Sequence, residues 1–249
     1  MKIALTFDIE RDLPTTLDTY SGLKIGLLKI LRLLENYNLN ATFFCTGNVA
    51  QRYPAYLKLI EGNGHEIACH SLNHERLTLL SFEECHDVVL KSKQILERIC
   101  QESEIIGFRA PYLKAPKFLF EILHDLGFKY DSSFSSKTPE KRNKPSEIEE
   151  FAPSTISGYF RFPLTSSFIS RVITKSELIV LYFHPWEFVN MKNIITRNLD
   201  IFVSFKNILF RPDRWWNTGK SFKRILSNYL DHLISNQCEF ITLRQLCGY

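Results

Sequence analysis

The sequence predicts an α/β fold built on a parallel sheet. Strand-like and helix-like segments alternate almost from end to end of the 249 residues. Side chains able to do chemistry recur just after the apolar, strand-like runs. No internal repeat or low-complexity stretch breaks the alternation. Repeated strand–helix units favour parallel pairing, because parallel neighbours need a crossover of helix length. Pattern alone does not choose between a doubly wound sheet and a barrel. The length suits one large domain or two small ones and buries a large core without covalent staples.

The elements follow in order. Residues 2–7 form an apolar run that closes on Asp8. Leu23, Leu27, Ile30, Leu31 and Leu34 then recur at helical spacing. Residues 41–45 read as a strand, 49–61 as a helix and 66–69 as a short buried strand. Ser81 with Glu84 makes a capping box that opens a long helix running to about Ile99. Residues 105–108 read as a strand and 118–126 as a helix stopped by Gly127. The polar stretch 137–150 carries charges of both signs and is expected to be an exposed loop. Strand signals return at 159–162 and 178–183. A helix over about 221–234 and a last strand near 240–242 end the chain.

Composition narrows the class. Apolar residues make up 45% and charged residues 23% of the chain, as in ordinary globular proteins. A formal net charge of +4 gives no mandate for nucleic acid and is compatible with an anionic substrate or membrane surface. The N-terminal stretch turns acidic too soon for a secretory signal. No apolar run reaches the roughly 18 to 20 residues that span a bilayer. The six cysteines, Cys45, Cys69, Cys85, Cys100, Cys238 and Cys247, contain no C-x-x-C pair and read as free thiols in a reducing compartment. The expected location is cytoplasmic, with peripheral contact at the inner face of the membrane as a further expectation.

The candidate site residues all follow strands. Asp8 and Glu10 follow the first, His70 and His74 the third, Arg109 the fourth, Asp131 a short fifth and His184 a late one. Parallel α/β folds gather the C-terminal strand ends on one rim, so these residues can converge. His70 and His74, four apart, would face one way on a helical turn and share a cation, which then wants a carboxylate as third ligand. In extended chain Asp8 and Glu10 point the same way, so one could bind metal while the other acts as base. An arginine beside a carboxylate, as Arg109 would be, holds it ionised. A histidine at a strand end, as His184 would be, can serve as general acid. Singly, each motif also fits a solvated turn or a structural histidine.

Together the motifs resemble the polysaccharide deacetylase family, also called the NodB-homology or carbohydrate esterase family 4 fold. Five segments carry the resemblance in order: Thr6-Phe7-Asp8-Ile9-Glu10, His70 to His74, Arg109-Ala110-Pro111-Tyr112, Tyr130-Asp131-Ser132-Ser133, and Val180 to His184. The resemblance implies a single-domain distorted (β/α) barrel over 1–249. It implies an N-deacetylase whose divalent metal, zinc by default with cobalt, nickel, iron or manganese as alternatives, is held by Glu10, His70 and His74. It implies Asp8 as base, Arg109 as its partner, His184 as acid and Asp131 as the residue orienting His184. Tyr112, Pro111 and Trp186 would meet the substrate. Ile9 stands where the family usually has a second, metal-binding aspartate. A variant branch places the ligand one residue later, which Glu10 fits; a metal-free, allantoinase-like amidase is the alternative, and a glycan-binding module without activity another. The substrate would be an amino sugar in a glycan or lipid-linked precursor. Residues 201–223 interleave six aromatics with five basic residues. That stretch, in an insertion at about 195–220, is expected to pack its aromatics on the barrel, a bilayer seat being the second reading.

Overall fold

Every strand pairing among the described residues is parallel. The computed structural model describes residues 1–13, 16–102, 104–133, 147–154, 158–162 and 177–249. The strands are β1 (Lys2–Ile9), β2 (Thr42–Cys45), β3 (Glu66–Cys69), β4 (Gly107–Phe108), β5 (Tyr130–Asp131), β6 (Glu149–Glu150), β7 (Leu178–Phe183) and β8 (Glu239–Phe240). Their order is β6-β5-β4-β3-β2-β1-β7, with β8 added to the start of β1. Each strand from β1 to β6 is laid beside its predecessor with no reversal. Strand β7 then returns to the free side of β1, the order of a (β/α) barrel opened between its sixth and seventh strands. Among the described residues no pairing joins β6 to β7, and the ring is incomplete there.

Helices fill the crossovers: α1 (Leu27–Tyr37), α2 (Gly47–Arg52), α3 (Pro54–Gly62), α4 (Phe82–Ile99), α5 (Leu119–Asp125), α6 (Gly158–Arg161), α7 (Met191–Asn198), α8 (Ile201–Phe210), α9 (Lys220–Ser235) and α10 (Leu243–Leu246). Strand alternation sorts the core into two shells. On β1, Ile3, Leu5, Phe7 and Ile9 pack outward against the helix layer, with Leu27 and Leu34 of α1, Val89 of α4 and Phe222 of α9. Ala4 points inward and joins Phe44, Ala68, Tyr130 and Val180 in a smaller interior cluster. Burying each large side chain contributes about 1.5–3 kcal/mol.

Several expectations hold closely. The capping box at Ser81 and Glu84 is formed, and α4 ends at Ile99. All six cysteines are free thiols. Others are corrected. The helix expected over 49–61 is two helices, α2 and α3, broken at Tyr53 because the residue before Pro54 avoids helical geometry. Residues 159–162, expected as a strand, lie mostly in the helical turn α6, where Phe160 packs on Phe183. Of the stretch 137–150, residues 137–146 lie outside the described residues, and Glu149–Glu150 pair with β5 as β6.

The N-terminal end of the barrel is closed by a polar network. The Thr42 hydroxyl donates to Glu66 at 2.6 Å, Tyr130 donates at 2.6 Å, and the Arg244 amide donates at 2.9 Å. The Leu243 amide caps onto the Thr42 hydroxyl, pinning α10 across the floor.

Candidate metal centre and active site

Strand register explains the convergence. Ile9 pairs with Cys45, Cys45 with Cys69, Cys69 with Phe108 and Phe108 with Asp131. The strand ends therefore form one row, and Glu10, Thr46, His70 and Arg109 each follow it by one residue. Ile9 turns into the outer core while Asp8 and Glu10 face the rim. The alternation of a strand thus puts a carboxylate at position 10 in place of the aspartate missing at position 9.

Glu10, His70 and His74 each offer a ligand atom, all within 4.8 Å of one another. The His74 Nε2 pairs with Glu10, and the His70 Nε2 lies 3.6 Å from Glu10 Oε2 and 3.4 Å from Asp8 Oδ2. The carbonyl of Arg109 lies 2.7 Å from His70 Nδ1 and can only accept, so Nδ1 carries the proton. That leaves the Nε2 lone pair aimed at the carboxylates, the tautomer a metal ligand needs. Both His70 Nε2 and Glu10 Oε2 are buried and lack a hydrogen-bond partner among the described residues. Orphaned buried acceptors that converge fit a divalent cation, and an N,N,O donor set suits zinc among others. Burial alone would raise the Glu10 carboxyl, but His74, with His70 and His184, outweighs it and holds it well below the usual carboxylate range.

The expected helical turn under the two histidines is not there. Residues 70–76 form an irregular loop, with Ser71 at φ 61° and His74 at φ 63°. Glu75 sets its shape, accepting from the Ser71 hydroxyl at 2.5 Å and the Asn73 amide at 2.9 Å. Tyr112 and Leu113 across the rim also have left-handed backbones, at φ 60° and 57°. Non-glycine residues held there cost about 1–3 kcal/mol each and gather where positioning matters. Tyr112 sets its ring against His74, centroids 4.5 Å apart, and Arg76 lies over its face. Pro111 is buried beneath it.

Asp8 is clamped by Arg109, whose Nη1 donates to Oδ1 at 2.8 Å. Arg109 is wholly buried, donates twice to Ser132 and lies 4.0 Å from the Phe44 ring centre. Paired, and bonded through each of its three nitrogens, its charge is tolerated in the core. Asp131 does not reach His184 by any described contact. Its carboxylate accepts from the Ser133 hydroxyl at 2.5 Å and the Ser133 amide at 3.1 Å, and Ser133 in turn accepts from the Ala110 amide. Asp131 therefore braces the 109–113 turn. Burial pushes its carboxyl up to about 7, against the lowering pull of Ser133.

His184 faces Glu10 from the opposite side, Nε2 3.7 Å from Oε1 and 2.9 Å from the Tyr182 hydroxyl. Its partner is Glu187, 3.8 Å from Nδ1, which also accepts from the His184 amide at 2.9 Å. Glu187 is in turn ion-paired with Arg161 at 2.8 Å. Burial by itself would lower the His184 imidazole; Glu187 and Glu10 outweigh it and raise it. Trp186 stacks on the His184 ring, centroids 5.3 Å apart. The turn 185–188 is seated on a π-helical turn at Gly22–Gly26, where a Cβ on Gly26 would lie 2.0 Å from the Pro185 carbonyl. Glu187 and Arg161 are functional residues that the motifs do not single out; the H-x-x-E spacing is a signal for the first, and nothing local marks the second. Beside the cluster opens a cleft of about 250 Å³, lined among others by Glu10, His74, Arg11, Tyr20, Asn48 and Arg52.

Residues 1–130 match the sequence model of the polysaccharide deacetylase family. The peptidoglycan deacetylase of Helicobacter pylori is 30% identical over 110 residues, 44% of this chain and 37% of that protein. The chitooligosaccharide deacetylase of Azorhizobium caulinodans is 27% identical over 100 residues, 40% of this chain and 48% of that protein. The first curated relatives are thus matched over only 33–37% of their own length. In fold, Puue allantoinase superposes with a TM-score of 0.69 at 14% identity, covering 99% of this chain and 89% of that one. A CE4 family pseudoenzyme from Bacillus anthracis gives 0.64 at 15% identity, covering 99% and 65%. With the first motif, the histidine loop and the Arg109 turn all inside the matched residues or bordering them on one rim, the chain belongs to the polysaccharide deacetylase family.

Proposed function

We propose that the chain is a metal-dependent hydrolase that removes an N-acetyl, or another small N-acyl, group from an amino sugar in a glycan or a lipid-linked glycan precursor. The observation that carries this reading is the convergence of Glu10, His70 and His74, two of whose buried atoms lack a hydrogen-bond partner, between a clamped carboxylate and a histidine facing it.

Glu10, His70 and His74 would hold the ion, which supplies polarisation of the acyl carbonyl and acidification of water. Asp8, held in place by Arg109, takes the proton of the attacking water on Oδ2. The Tyr112 amide, at its left-handed turn, donates to the oxygen that gains charge in the transition state. His184 gives a proton to the departing amine, held in orientation by Glu187 and Arg161. The half-buried ring of Tyr112 faces the sugar, with Pro111 buried beneath it and Trp186 backing the His184 ring. The whole of 1–249 serves as one catalytic unit in this reading.

Metal content of wild type and Glu10→Ala, measured with amine release from N-acetylated chito-oligosaccharides, tests the proposal. About one ion per chain, lost together with activity in Glu10→Ala, supports it. Metal without activity redirects the search to formylated or lipid-linked sugars. No metal in either protein, and no rescue by zinc or cobalt, moves the reading to a metal-free amidase or a glycan-binding module.

A further inference from the structure

Helix α8 is turned inside out. Ser204 and Asn207 are its buried residues, while Ile201 is 89% and Phe210 68% exposed, with Phe202, Phe205 and Leu209 each more than half exposed. A surface helix normally does the reverse. The orientation is fixed by bonds on its polar side. Ser204 donates to the carbonyls of Ile195 and Leu199, and Asn207 is bonded to Arg214. Asp200 caps the first turn, accepting from the amides of Phe202 and Val203. The expectation that the aromatics of this stretch pack on the barrel therefore holds for Phe222, which meets Phe183 and Phe188, and fails for Phe202, Phe205 and Phe210.

The stretch of chain that carries this face is basic. Residues 191–224 hold eight lysines and arginines against two aspartates, a net +6 in a chain whose total is +4. Lys206 lies over the Phe202 ring, and Arg211, paired with Asp213, and Arg214 follow just after the helix end. A second copy docked here would set two strongly positive surfaces together, which like-charge repulsion opposes. An anionic bilayer offers both a negative surface and an apolar layer just beneath it.

We propose that the exposed apolar face of α8, with its basic flanks, seats the protein on an anionic lipid surface. The phenyl rings of Phe202, Phe205 and Phe210 enter the headgroup–acyl boundary, and the lysines and arginines meet lipid phosphates. The seat is tied to the catalytic rim. Arg161 donates to the carbonyls of Asp213 and Trp216, in the turn that follows α8, and pairs with Glu187 behind His184. Joined to the deacetylase reading, this surface selects a lipid-carried amino sugar; the docking itself does not depend on that reading.

The test is cosedimentation of the full chain with phosphatidylcholine vesicles and with mixed phosphatidylcholine–phosphatidylglycerol vesicles. Binding to the mixed vesicles alone, weakened by added salt, is expected. Phe202→Ser/Phe205→Ser/Phe210→Ser should lower that binding by about tenfold or more with no fall in Tm, since none of the three rings is in the core. Lys206→Gln should weaken it by about fivefold. Equal binding to both vesicle types, no binding to either, or a triple variant that binds like wild type would overturn the proposal. So would a wild-type dimer in sedimentation velocity that the triple variant converts to monomer. Because the readout is lipid binding, a failed deacetylase assay leaves this result intact.

Discussion

The two ends of the barrel each bury a carboxylate, and they treat it in opposite ways. At the N-terminal floor Glu66 receives the Thr42 and Tyr130 hydroxyls and the Arg244 amide. Its partners are almost all neutral, and burial wins: the carboxyl is raised above its ordinary value. At the C-terminal rim Glu10 faces three imidazoles, keeps an oxygen without a hydrogen bond and is held well below it. A carboxylate saturated by neutral donors fastens elements together. One left short of donors among imidazoles is an unfinished site. The contrast distinguishes structure from chemistry within a single sheet.

Variants can break that comparison. The largest expected effect is on turnover: His184→Ala should lower amine release by about 10²–10⁴-fold while stability stays within about 1 kcal/mol, since the Glu187–Arg161 pair behind it remains. Glu66→Ala should do the reverse. It strands the buried Tyr130 and Thr42 hydroxyls, so chemical denaturation should show a loss of about 2–4 kcal/mol, with metal stoichiometry of the folded fraction unchanged. Similar losses of turnover in both variants would erase the distinction.

A finer test concerns positioning. Glu187→Gln keeps the shape behind His184 and removes a charge that raises its imidazole, so turnover should fall by roughly tenfold, with the alkaline limb of the pH–rate profile moved to lower pH and KM little changed. The same loss appearing entirely in KM would assign Glu187 to substrate binding instead.

The smallest effect is a pH dependence of stability. Asp131 has a folded-state value of about 7 against an ordinary 3.8. The stability it contributes is fully present below the unfolded value and is lost as pH rises through about 7. The stability of wild type relative to Asp131→Asn should therefore decline between roughly pH 4 and pH 7 and level off above that, as followed by urea titration. A difference that is flat across that window would place the Asp131 proton elsewhere.

Much of the rim was legible because strands report on themselves. Period two put Asp8 and Glu10 on one face, and a motif following each apolar run located His70, Arg109 and His184. The choice of barrel over doubly wound sheet came through family resemblance, since strand order has no local signature. The histidine loop is not legible because a spacing of four suits a helix, while the backbone passes through left-handed turns at Ser71 and His74 under the control of Glu75. The resemblance pairs Asp131 with His184, whereas a closer serine, two residues along, takes its carboxylate. Arg161 could not be foreseen: its meeting with Glu187 joins positions 26 apart with no periodic pattern between them. Aromatics mixed with basic residues at 201–223 say that a surface exists somewhere, and only the folded helix shows which side of it is dry.

The inverted helix has a consequence for how the purified protein behaves. With oily side chains exposed on one flank of a stretch of net positive charge, the molecule should behave as a weak surfactant. It should gather at air–water boundaries and coat glass, and mild non-ionic detergent should keep it dispersed. Kosmotropic salts such as sulfate should precipitate it early, because they strengthen apolar association just as they screen the charge that keeps the molecules apart.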